Sequence, residues 1–204
     1  MHKIVIQCGC YNDPCNIKDS YPQYQESIMK NNSTTINIKY SSITIEISDI
    51  TLSNSDCIVN AANRTLLGGG GVDGAIHRAA GPALLAECRT LNGCKTGEAK
   101  ITKGYNLNAK FIIHTAGPIY RYAENPEQDL INCYLNSLDL AKEFDIHSID
   151  FPAISCGAYG YPINDAAKVA YKTISEWIEA NESYPINVTL SCFNEEVYES
   201  YLNI

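Results

Sequence analysis

Cys57-Ile-Val-Asn-Ala-Ala-Asn63 is an apolar strand that ends in two carboxamides, and it leads into Leu66-Leu-Gly-Gly-Gly-Gly-Val-Asp73. Glycine adopts positive φ angles without steric penalty and lets another group approach the backbone, but each glycine costs ordering entropy. A simple turn needs one or two glycines, so four in a row favour a loop whose N–H groups cradle a phosphate. The helix that we expect to start at Asp73 would add the positive end of its dipole. These residues therefore predict an anion-binding loop between a strand and a helix.

A second glycine loop follows another apolar strand, in Asp150-Phe-Pro-Ala-Ile-Ser-Cys-Gly-Ala-Tyr-Gly-Tyr-Pro162. Ligands of open α/β sheets bind outside the carboxyl ends of the strands, and two loops there can clamp two phosphates. A plain turn, with Tyr159 and Tyr161 packing locally, is the structural alternative, and it fits Tyr161-Pro162 best. Neither loop has the Lys-Ser/Thr ending of a P-loop or the glycine spacing of a Rossmann turn, which disfavours kinase, NTPase and dehydrogenase functions.

Apolar runs alternate with helical patterns from Thr35 onward, as expected of an α/β sheet that is covered by helices on both faces. We expect strands near 36–40, 43–47, 57–61, 100–106, 110–116, 147–154 and 186–193. We expect helices at 126–144, from about 162 to 180 and at 194–203. Residues 1–34 are predicted to form an N-terminal extension, ordered at most in part, with a strand candidate at Lys3–Gln7. Residues 35–204 are predicted to form the domain.

Charge and cysteine usage limit the classes of partner. The chain has 204 residues and a formal net charge of −8, with too few Lys and Arg to neutralise a nucleic-acid backbone. Backbone amides must therefore hold any anionic ligand, and we expect no nucleic-acid partner. Nine cysteines are scattered through apolar segments rather than set out as a disulfide framework, which indicates reduced, mostly buried thiols. Without a secretory signal or an apolar run of spanning length, we expect a cytoplasmic or nuclear protein with no membrane partner.

Seven blocks of the sequence, in order over roughly residues 36–204, resemble the macrodomain family in its MacroD-type branch. The blocks are Ser48-Asp-Ile-Thr51, Ile58-Val-Asn-Ala-Ala-Asn63, Gly68-Gly-Gly-Gly-Val-Asp-Gly-Ala-Ile-His-Arg-Ala-Ala-Gly-Pro82, Gly97-Glu-Ala, Ile101-Thr-Lys-Gly-Tyr, Ile113-His-Thr-Ala-Gly-Pro118 and Ile154-Ser-Cys-Gly-Ala-Tyr-Gly-Tyr-Pro162. The resemblance implies a three-layer α/β/α fold around a mixed sheet of six or seven strands. It implies a hydrolase that binds ADP-ribose, deacylates O-acetyl-ADP-ribose and removes mono-ADP-ribose from acidic side chains of proteins. We expect a monomer with no cofactor and no metal.

The resemblance also assigns residues to the adenine and the diphosphate. Asp49 would accept a hydrogen bond from the adenine 6-amino group, beside the Ile50 amide, and Phe193 would stack on the adenine. The diphosphate would be held by backbone amides of the two loops, at Gly69, Gly70, Gly71, Val72, Ser155, Cys156, Gly157, Ala158 and Tyr159. For Asp49 a purely structural role, as a cap or turn residue, stays open.

The distal ribose is where the resemblance places the chemistry. Tyr159 would form an aromatic wall, and Asn60 and Asn63 would face the ribose, with Asn63 in more direct contact and part of the catalytic set. Asp73 and His77 lie four residues apart on a helix, so both side chains project from one face. The resemblance makes Asp73 the leading catalytic residue, which orients water or holds the ribose, while His77 positions Asp73 or the water. The alternative is a first-turn carboxylate favoured by the helix dipole, with a supporting histidine.

The chain departs from the branch at two positions, with Ser48 where Gly is usual and Cys156 where Thr is common. A cysteine nucleophile at Cys156 is conceivable, but no histidine lies near it in sequence. The Cys and His ligands of zinc-binding macrodomains are absent around Gly68–Asp73. The Cys-x-Cys-x₄-Cys run of the extension lacks a nearby fourth ligand, which makes it a weak metal motif.

Three functions stay open on this basis. The first is hydrolysis of ADP-ribose esters, the second is recognition of ADP-ribosylated proteins without turnover, and the third is removal of phosphate from ADP-ribose 1″-phosphate. Asp73 with His77 and the two asparagines favours the hydrolase, because a module that only binds can lack them.

Overall fold

One mixed sheet of eight strands, covered by helices on both faces, forms the protein, and the computed structural model describes residues 24–29 and 33–204. The strands are β1 (Tyr24–Met29), β2 (Ser33–Ile38), β3 (Ser41–Ile47), β4 (Cys57–Ala62), β5 (Ala99–Lys103), β6 (Phe111–Ala116), β7 (Ser148–Pro152) and β8 (Asn187–Cys192). The helices are α1 (Gly71–Ala80), α2 (Pro82–Thr90), α3 (Pro126–Glu143), α4 (Ile163–Ala180) and α5 (Glu195–Leu202), with a 3₁₀ turn at Ile50–Leu52. The expected three-layer α/β/α fold is confirmed.

Seven of the strands lie between residues 33 and 204, the upper number that was expected, and β1 adds an eighth. β2 begins at Ser33, two residues before the predicted start of the domain. The sequence analysis did not predict β1, which falls in the range interpreted as an extension. It pairs with β2 at the edge of the sheet, with a register shift between Gln25 and Ile28. The strand expected at Lys3–Gln7 lies outside the described residues.

Five parallel strands form the centre of the sheet. The strand order is β1-β2-β3-β8-β7-β4-β6-β5, and β3, β8, β7, β4 and β6 run in the same direction. β2 pairs antiparallel with β3, and β5 pairs antiparallel with β6. Because the carboxyl ends of parallel strands meet along one edge, the loops that follow the five central strands are neighbours.

The two faces of the sheet pack against different helices. Successive residues of a strand point to opposite faces, so Val59 of β4 packs in the layer of α3, α4 and α5, while Ile58 packs with α1 and α2. Tyr134 of α3 and Phe151 of β7 are fully buried in the larger core, with ring centres 5.2 Å apart. Burial of a phenylalanine contributes about 1.5–3 kcal/mol. The well-packed sheet therefore holds the loops at its edge in defined positions.

The helix boundaries follow from local signals that differ in strength. Asn125 caps α3, because its side chain accepts a hydrogen bond from the Gln128 N–H. α1 begins at Gly71, two residues before the expected start, since the extended Gly70 is its N-cap. The sequence analysis missed α2, whose buried residues Leu84 and Cys88 make a pattern of only one turn.

The six cysteines of the described residues are free thiols, five of them buried and Cys156 half-buried. Cys8, Cys10 and Cys15 lie outside the described residues. Within the described ranges, no helix combines the length and the apolar character that a membrane span requires.

Candidate functional site

The predicted site residues lie along the carboxyl edge of the parallel strands. Asp49 follows β3, Phe193 follows β8, the loop 153–162 follows β7 and Asn63 follows β4. Because these strands are consecutive in the sheet, the residues line the edge in the order of the predicted adenine, diphosphate and distal-ribose contacts. The structure therefore brings the two glycine loops together, as expected.

Asn63 braces the first glycine loop. Its Nδ2 donates to the Gly68 carbonyl at 2.8 Å, and its Oδ1 accepts from the N–H and the hydroxyl of Thr65 at 2.9 and 2.6 Å. Nδ2 also lies 3.3 Å from Asp73 Oδ2. Asn63 is half-buried, so it both holds the loop and borders the candidate catalytic carboxylate.

Glycine is required where this loop lies against α1. A Cβ on Gly74 would collide with the Gly69 carbonyl, and a Cβ on Gly69 would lie 3.1 Å from Asp73 Oδ2. The predicted phosphate contacts of this loop are Gly69, Gly70, Gly71 and Val72. The three glycines are exposed and the valine is half-buried. The first N–H groups of α1 have no partner within the helix, so the loop presents amides and a helix N-terminus to an anion.

The second loop offers three free amides in a row. The N–H groups of Gly157, Ala158 and Tyr159 have no hydrogen-bond partner among the described residues. Ser155 is buried with a φ of 65°, and its hydroxyl also lacks a partner within those residues. Left-handed backbone at a residue other than glycine costs about 1–3 kcal/mol and clusters at functional sites. The strained backbone at Ser155 therefore marks this loop as part of the candidate site.

Asp73 is a buried carboxylate where the first loop meets α1. Its Oδ1 accepts a hydrogen bond from Asn60 Nδ2 at 2.8 Å, and its Oδ2 lies 3.3 Å from Asn63 Nδ2. Burial raises the pKa of Asp73, while the Asn60 hydrogen bond and the charge of nearby His77 oppose the rise. A carboxylate with a raised pKa at a cleft is typical of a group that orients water and accepts its proton.

His77 lies one turn along α1 and faces the same carboxylate. Its Nε2 is 3.4 Å from Asp73 Oδ1, but it has no hydrogen-bond partner among the described residues. The two groups are near enough to attract each other without the alignment of a hydrogen bond. The position of His77 suits the predicted supporting role.

Asn60 lies within β4 and is wholly buried. The sequence analysis predicted that Asn60 faces the distal ribose, but the structure directs its amide to Asp73 and, at 3.1 Å, to His114 Nδ1 of β6. The reason is strand geometry, because Asn60 points beneath α1 whereas Asn63 lies past the end of the strand. Asn60 is therefore shielded from the cleft and contacts Asp73 instead.

The sequence analysis assigned no role to His114 or Thr102, which extend the network behind Asn60. His114 Nε2 lies 2.9 Å from Thr102 Oγ1. Burial lowers the pKa of His114 to about 3, so the imidazole is neutral. The signal that could have revealed this pair is a histidine within the apolar strand Phe111–Ala116, because a buried polar side chain needs a partner.

The predicted adenine end of the site is open. Phe193 is 89% exposed at the end of β8, which leaves its ring free to stack. Asp49 is exposed and caps the 3₁₀ turn, because its Oδ1 accepts from the N–H and hydroxyl of Thr51 at 2.9 and 2.7 Å. Asp49 thus has the structural role of a cap that the sequence analysis left open. Its Oδ2 stays available to accept a hydrogen bond from an amine. The Ile50 side chain is buried beneath the turn.

Cys156 lies in the second loop as a half-buried thiol. Its Sγ is 3.5 Å from the Ile154 carbonyl, and burial raises its pKa to about 12. A thiol that stays protonated is a poor nucleophile, so the structure opposes the cysteine-nucleophile alternative.

Within the described ranges, one histidine and cysteine cluster brings possible metal ligands within 4.8 Å of one another, at His77, Cys88 and His114. Both ring nitrogens of His114 already have hydrogen-bond partners. Burial raises the pKa of Cys88 to about 11, which disfavours the thiolate that a metal needs. Cys88 and His114 therefore belong to a hydrogen-bonded layer beneath Asp73, and His77 lies beside that layer.

Comparison with known sequences agrees with this geometry. The Macro domain family model matches residues 59–170. The human protein named ADP-ribose glycohydrolase MACROD2 is 56% identical over 155 residues, which cover 75% of this chain and 36% of the human protein. The chain thus spans about a third of the length of that relative.

Solved structures show the same likeness. The Oceanobacillus iheyensis macrodomain with ADP has a TM-score of 0.80 and 45% identity, over 83% of this chain and 92% of that one. The Trypanosoma brucei macrodomain in complex with ADP-ribose has a TM-score of 0.75 and 43% identity, over 78% of this chain and 67% of that one. From the parallel-strand edge with its two glycine loops, the family model and these relatives, it follows that the chain belongs to the Macro domain family.

Proposed function

We propose that the protein binds ADP-ribose and hydrolyses esters at its distal ribose. The substrates are proteins with mono-ADP-ribose on acidic side chains, and O-acetyl-ADP-ribose. Family membership, the glycohydrolase name of the human relative and the ADP-ribose in the Trypanosoma structure support an ADP-ribose-binding hydrolase. The choice of ester and of protein substrate rests on the resemblance and on the site.

The bound ligand lies along the carboxyl edge of the sheet. Phe193 stacks on the adenine and Asp49 accepts a hydrogen bond from its amine. The free amides of the second loop and the N-terminus of α1 hold the diphosphate from two sides, which suits a chain whose net charge is −8. The distal ribose then reaches Asn63 and Tyr159, beside Asp73.

The observation that carries the hydrolase proposal is the placement of Asp73, a buried carboxylate at the cleft with a hydrogen-bond donor near each oxygen. Asp73 orients a water molecule and accepts its proton as the oxygen attacks the acyl carbon of the ester. Amides of the loops stabilise the charge that develops on the carbonyl oxygen. The bond from the acyl carbon to the ribose oxygen breaks, and the ribose oxygen takes a proton. The products are a carboxylic acid and ADP-ribose.

The test is hydrolysis of a mono-ADP-ribosylated protein and of O-acetyl-ADP-ribose in water enriched in ¹⁸O, followed by mass spectrometry. Attack at the acyl carbon places one ¹⁸O in the released acetate or in the carboxyl group of the released side chain. Release with ¹⁸O only in the ribose would instead show attack at the ribose carbon and would overturn the proposed step.

A wild-type protein that binds ADP-ribose tightly but releases neither product is a reader of ADP-ribosylation and not a hydrolase. Parallel incubation with ADP-ribose 1″-phosphate tests the phosphatase alternative, because release of inorganic phosphate alone assigns that activity.

A further inference from the structure

His114 lies in the centre of the sheet, directly behind the candidate catalytic group. It sits in β6 opposite Asn60 of β4, and it is wholly buried. Its ring contacts Asn60 Nδ2 through Nδ1 at 3.1 Å and Thr102 Oγ1 through Nε2 at 2.9 Å. A residue in this position cannot touch a ligand, so any effect on the reaction passes through its neighbours, of which Asn60 donates to Asp73.

The hydrogen bonds around His114 have only one consistent direction. The amide nitrogen of Asn60 donates, so His114 Nδ1 accepts and Nε2 carries the proton. Nε2–H then donates to Thr102 Oγ1, and the Thr102 hydroxyl donates to the Lys103 carbonyl at 3.2 Å. The donor at Asn60 and the acceptor at Thr102 therefore favour the same tautomer of His114.

The orientation of the Asn60 amide depends on this contact. Both hydrogens of its NH₂ group are used, one toward Asp73 Oδ1 at 2.8 Å and one toward His114. Its carbonyl oxygen has no partner among the described residues, so the carbonyl does not hold the amide in place. Without an acceptor at His114, one hydrogen of the NH₂ group would lose its partner, and the contact with Asp73 alone would hold the amide. The amide could then rotate, which would weaken its donation to Asp73.

We infer that His114 is a positioning residue for the proposed hydrolysis, which fixes the amide of Asn60 so that it donates to Asp73, and that Thr102 fixes the tautomer of His114. The inference rests on the proposed function. It adds two residues that never touch the substrate and that keep Asp73 ionised and aimed at the water. Three titratable groups face the network, Asp73 and His77 from α1 and Cys88 from α2. Cys88 Sγ lies 3.8 Å from His114 Nε2 and stays a neutral thiol.

The experiment compares two substitutions of His114 in the full chain. His114→Asn keeps an acceptor near the position of Nδ1, and His114→Leu fills the space without one. His114→Leu should lower kcat by about 10- to 100-fold, while KM changes little. The magnitude is taken from metal sites, where removing a residue that orients a ligand side chain lowers activity by that factor. The acid limb of its pH–rate profile should move to higher pH, because Asp73 loses the donor that favours its charged form. His114→Asn should recover part of the rate.

A merely structural role predicts another pattern. Equal rates for wild type, His114→Leu and His114→Asn, or an unmoved acid limb, would overturn the inference. So would a rate that falls only in step with the melting temperature. Should His114→Leu fail to fold, the isosteric Thr102→Val serves as the second variant. It should lower kcat in the same direction and less strongly, and a wild-type rate would overturn the role of Thr102.

A readout without catalysis separates this inference from the proposed function. Carbon-13 NMR of the Asp73 carboxyl group should show a higher pKa in His114→Leu than in wild type, whether or not the protein turns over substrate. An unchanged Asp73 titration overturns the positioning role, whereas a shifted titration in a protein without activity overturns only the hydrolase proposal.

Discussion

Asp73 and Asp150 are buried carboxylates on the same side of the sheet, in different surroundings. Asp73 lies beside α1 with an amide donor near each oxygen. Asp150 of β7 is opposite Ile58 of β4, and its Oδ1 has no hydrogen-bond partner among the described residues. Burial raises the pKa of both groups, that of Asp150 to about 7.

Burial raises the pKa of both carboxylates, and they differ in the groups that oppose the rise. A cavity of about 470 Å³ opens beside Asp150, and the residues that line it include Glu46 and Asp49 but no basic residue. Hydrogen bonds from the hydroxyls of Ser191 and Ser53 offset only part of the rise in the pKa of Asp150 that burial causes, and the charge of Glu46 adds to that rise. The Asn60 donor and the charge of His77 thus oppose the desolvation of Asp73, whereas serine donors oppose that of Asp150 and the charge of Glu46 adds to it.

The strongest test of this contrast is Asp73→Ala. Ester hydrolysis should fall at least ~100-fold while ADP-ribose affinity changes much less, because a group that acts on water stabilises the transition state more than the bound ground state. Steady-state kinetics and calorimetry measure the two effects, and Asp150→Ala, the matched control, should keep the wild-type rate.

Loss of affinity in step with loss of rate would mean that Asp73 mainly holds the ribose. Undiminished hydrolysis by Asp73→Ala would show that Asp73 takes no part in the mechanism. Asp73 and Asp150 would then not differ in function.

The next largest effect concerns stability and belongs to Asp150. Its pKa is raised from 3.8 to about 7, so between those values the folded protein keeps a proton that the unfolded chain has released. The free energy of unfolding therefore falls as pH rises through this window and stays low above it. Asp150→Asn removes the charge, so it should raise the free energy of unfolding at pH 8 on the order of 2–4 kcal/mol and change it little at pH 4.

Urea unfolding of wild type and Asp150→Asn at both pH values measures this effect. Hydrolysis should be unaffected, since Asp150 is not part of the site. Two pH–stability curves that run parallel would show that the surroundings of Asp150 do not penalise its charge.

A smaller effect is expected at Asp49, which lies over the Asp150 cavity but is predicted to contact the ligand. Asp49→Ala should weaken ADP-ribose binding by about 1–3 kcal/mol, because a charged acceptor loses its amine partner. Thr51→Val is the matched control, since it removes the hydroxyl that contacts Asp49 Oδ1 but keeps the carboxylate. Calorimetry should find near wild-type affinity for the control, and unchanged affinity for Asp49→Ala with an intact melting transition would reject the adenine assignment.

The smallest effect is expected for His77→Ala. His77 approaches Asp73 without a hydrogen bond, so its removal should lower kcat less than removal of Asp73 does. The double variant should be little worse than Asp73→Ala alone, because residues that act as a unit are not additive. Additive losses in the kinetic double-mutant cycle would show instead that His77 acts independently of Asp73.

Much of the edge of the site was predictable from local sequence. A strand that ends in Asn63 and a four-glycine run before Asp73 predict the first loop, because strand ends, glycine runs and helix starts are signals of a few residues. The second loop was predictable for the same reason. The start of α1 was misplaced by two residues, since Gly70 caps the helix through its extended backbone without a side-chain signal.

The network beneath that edge could not be predicted, because its members are far apart in the chain. Asn60, Thr102 and His114 meet only when β4 and β6 pair and β5 joins them. The sequence analysis predicted that Asn60 faces the ribose, and only its burial beneath α1 redirects it to Asp73. β1 was missed for a related reason, since an edge strand with little apolar alternation gains its hydrogen bonds from β2.

Local patterning in this chain thus specifies the alternation of strands and helices, both glycine loops, and the types of residue at the strand ends. Those features depend on backbone preferences and on apolar periodicity, which act over a few residues. The pairing of strands decides which polar side chains are buried together, and so it gives the buried carboxylates Asp73 and Asp150 different neighbours. Hydrogen bonds and desolvation act between groups in contact, and in this sheet the decisive contacts join residues that are tens of positions apart.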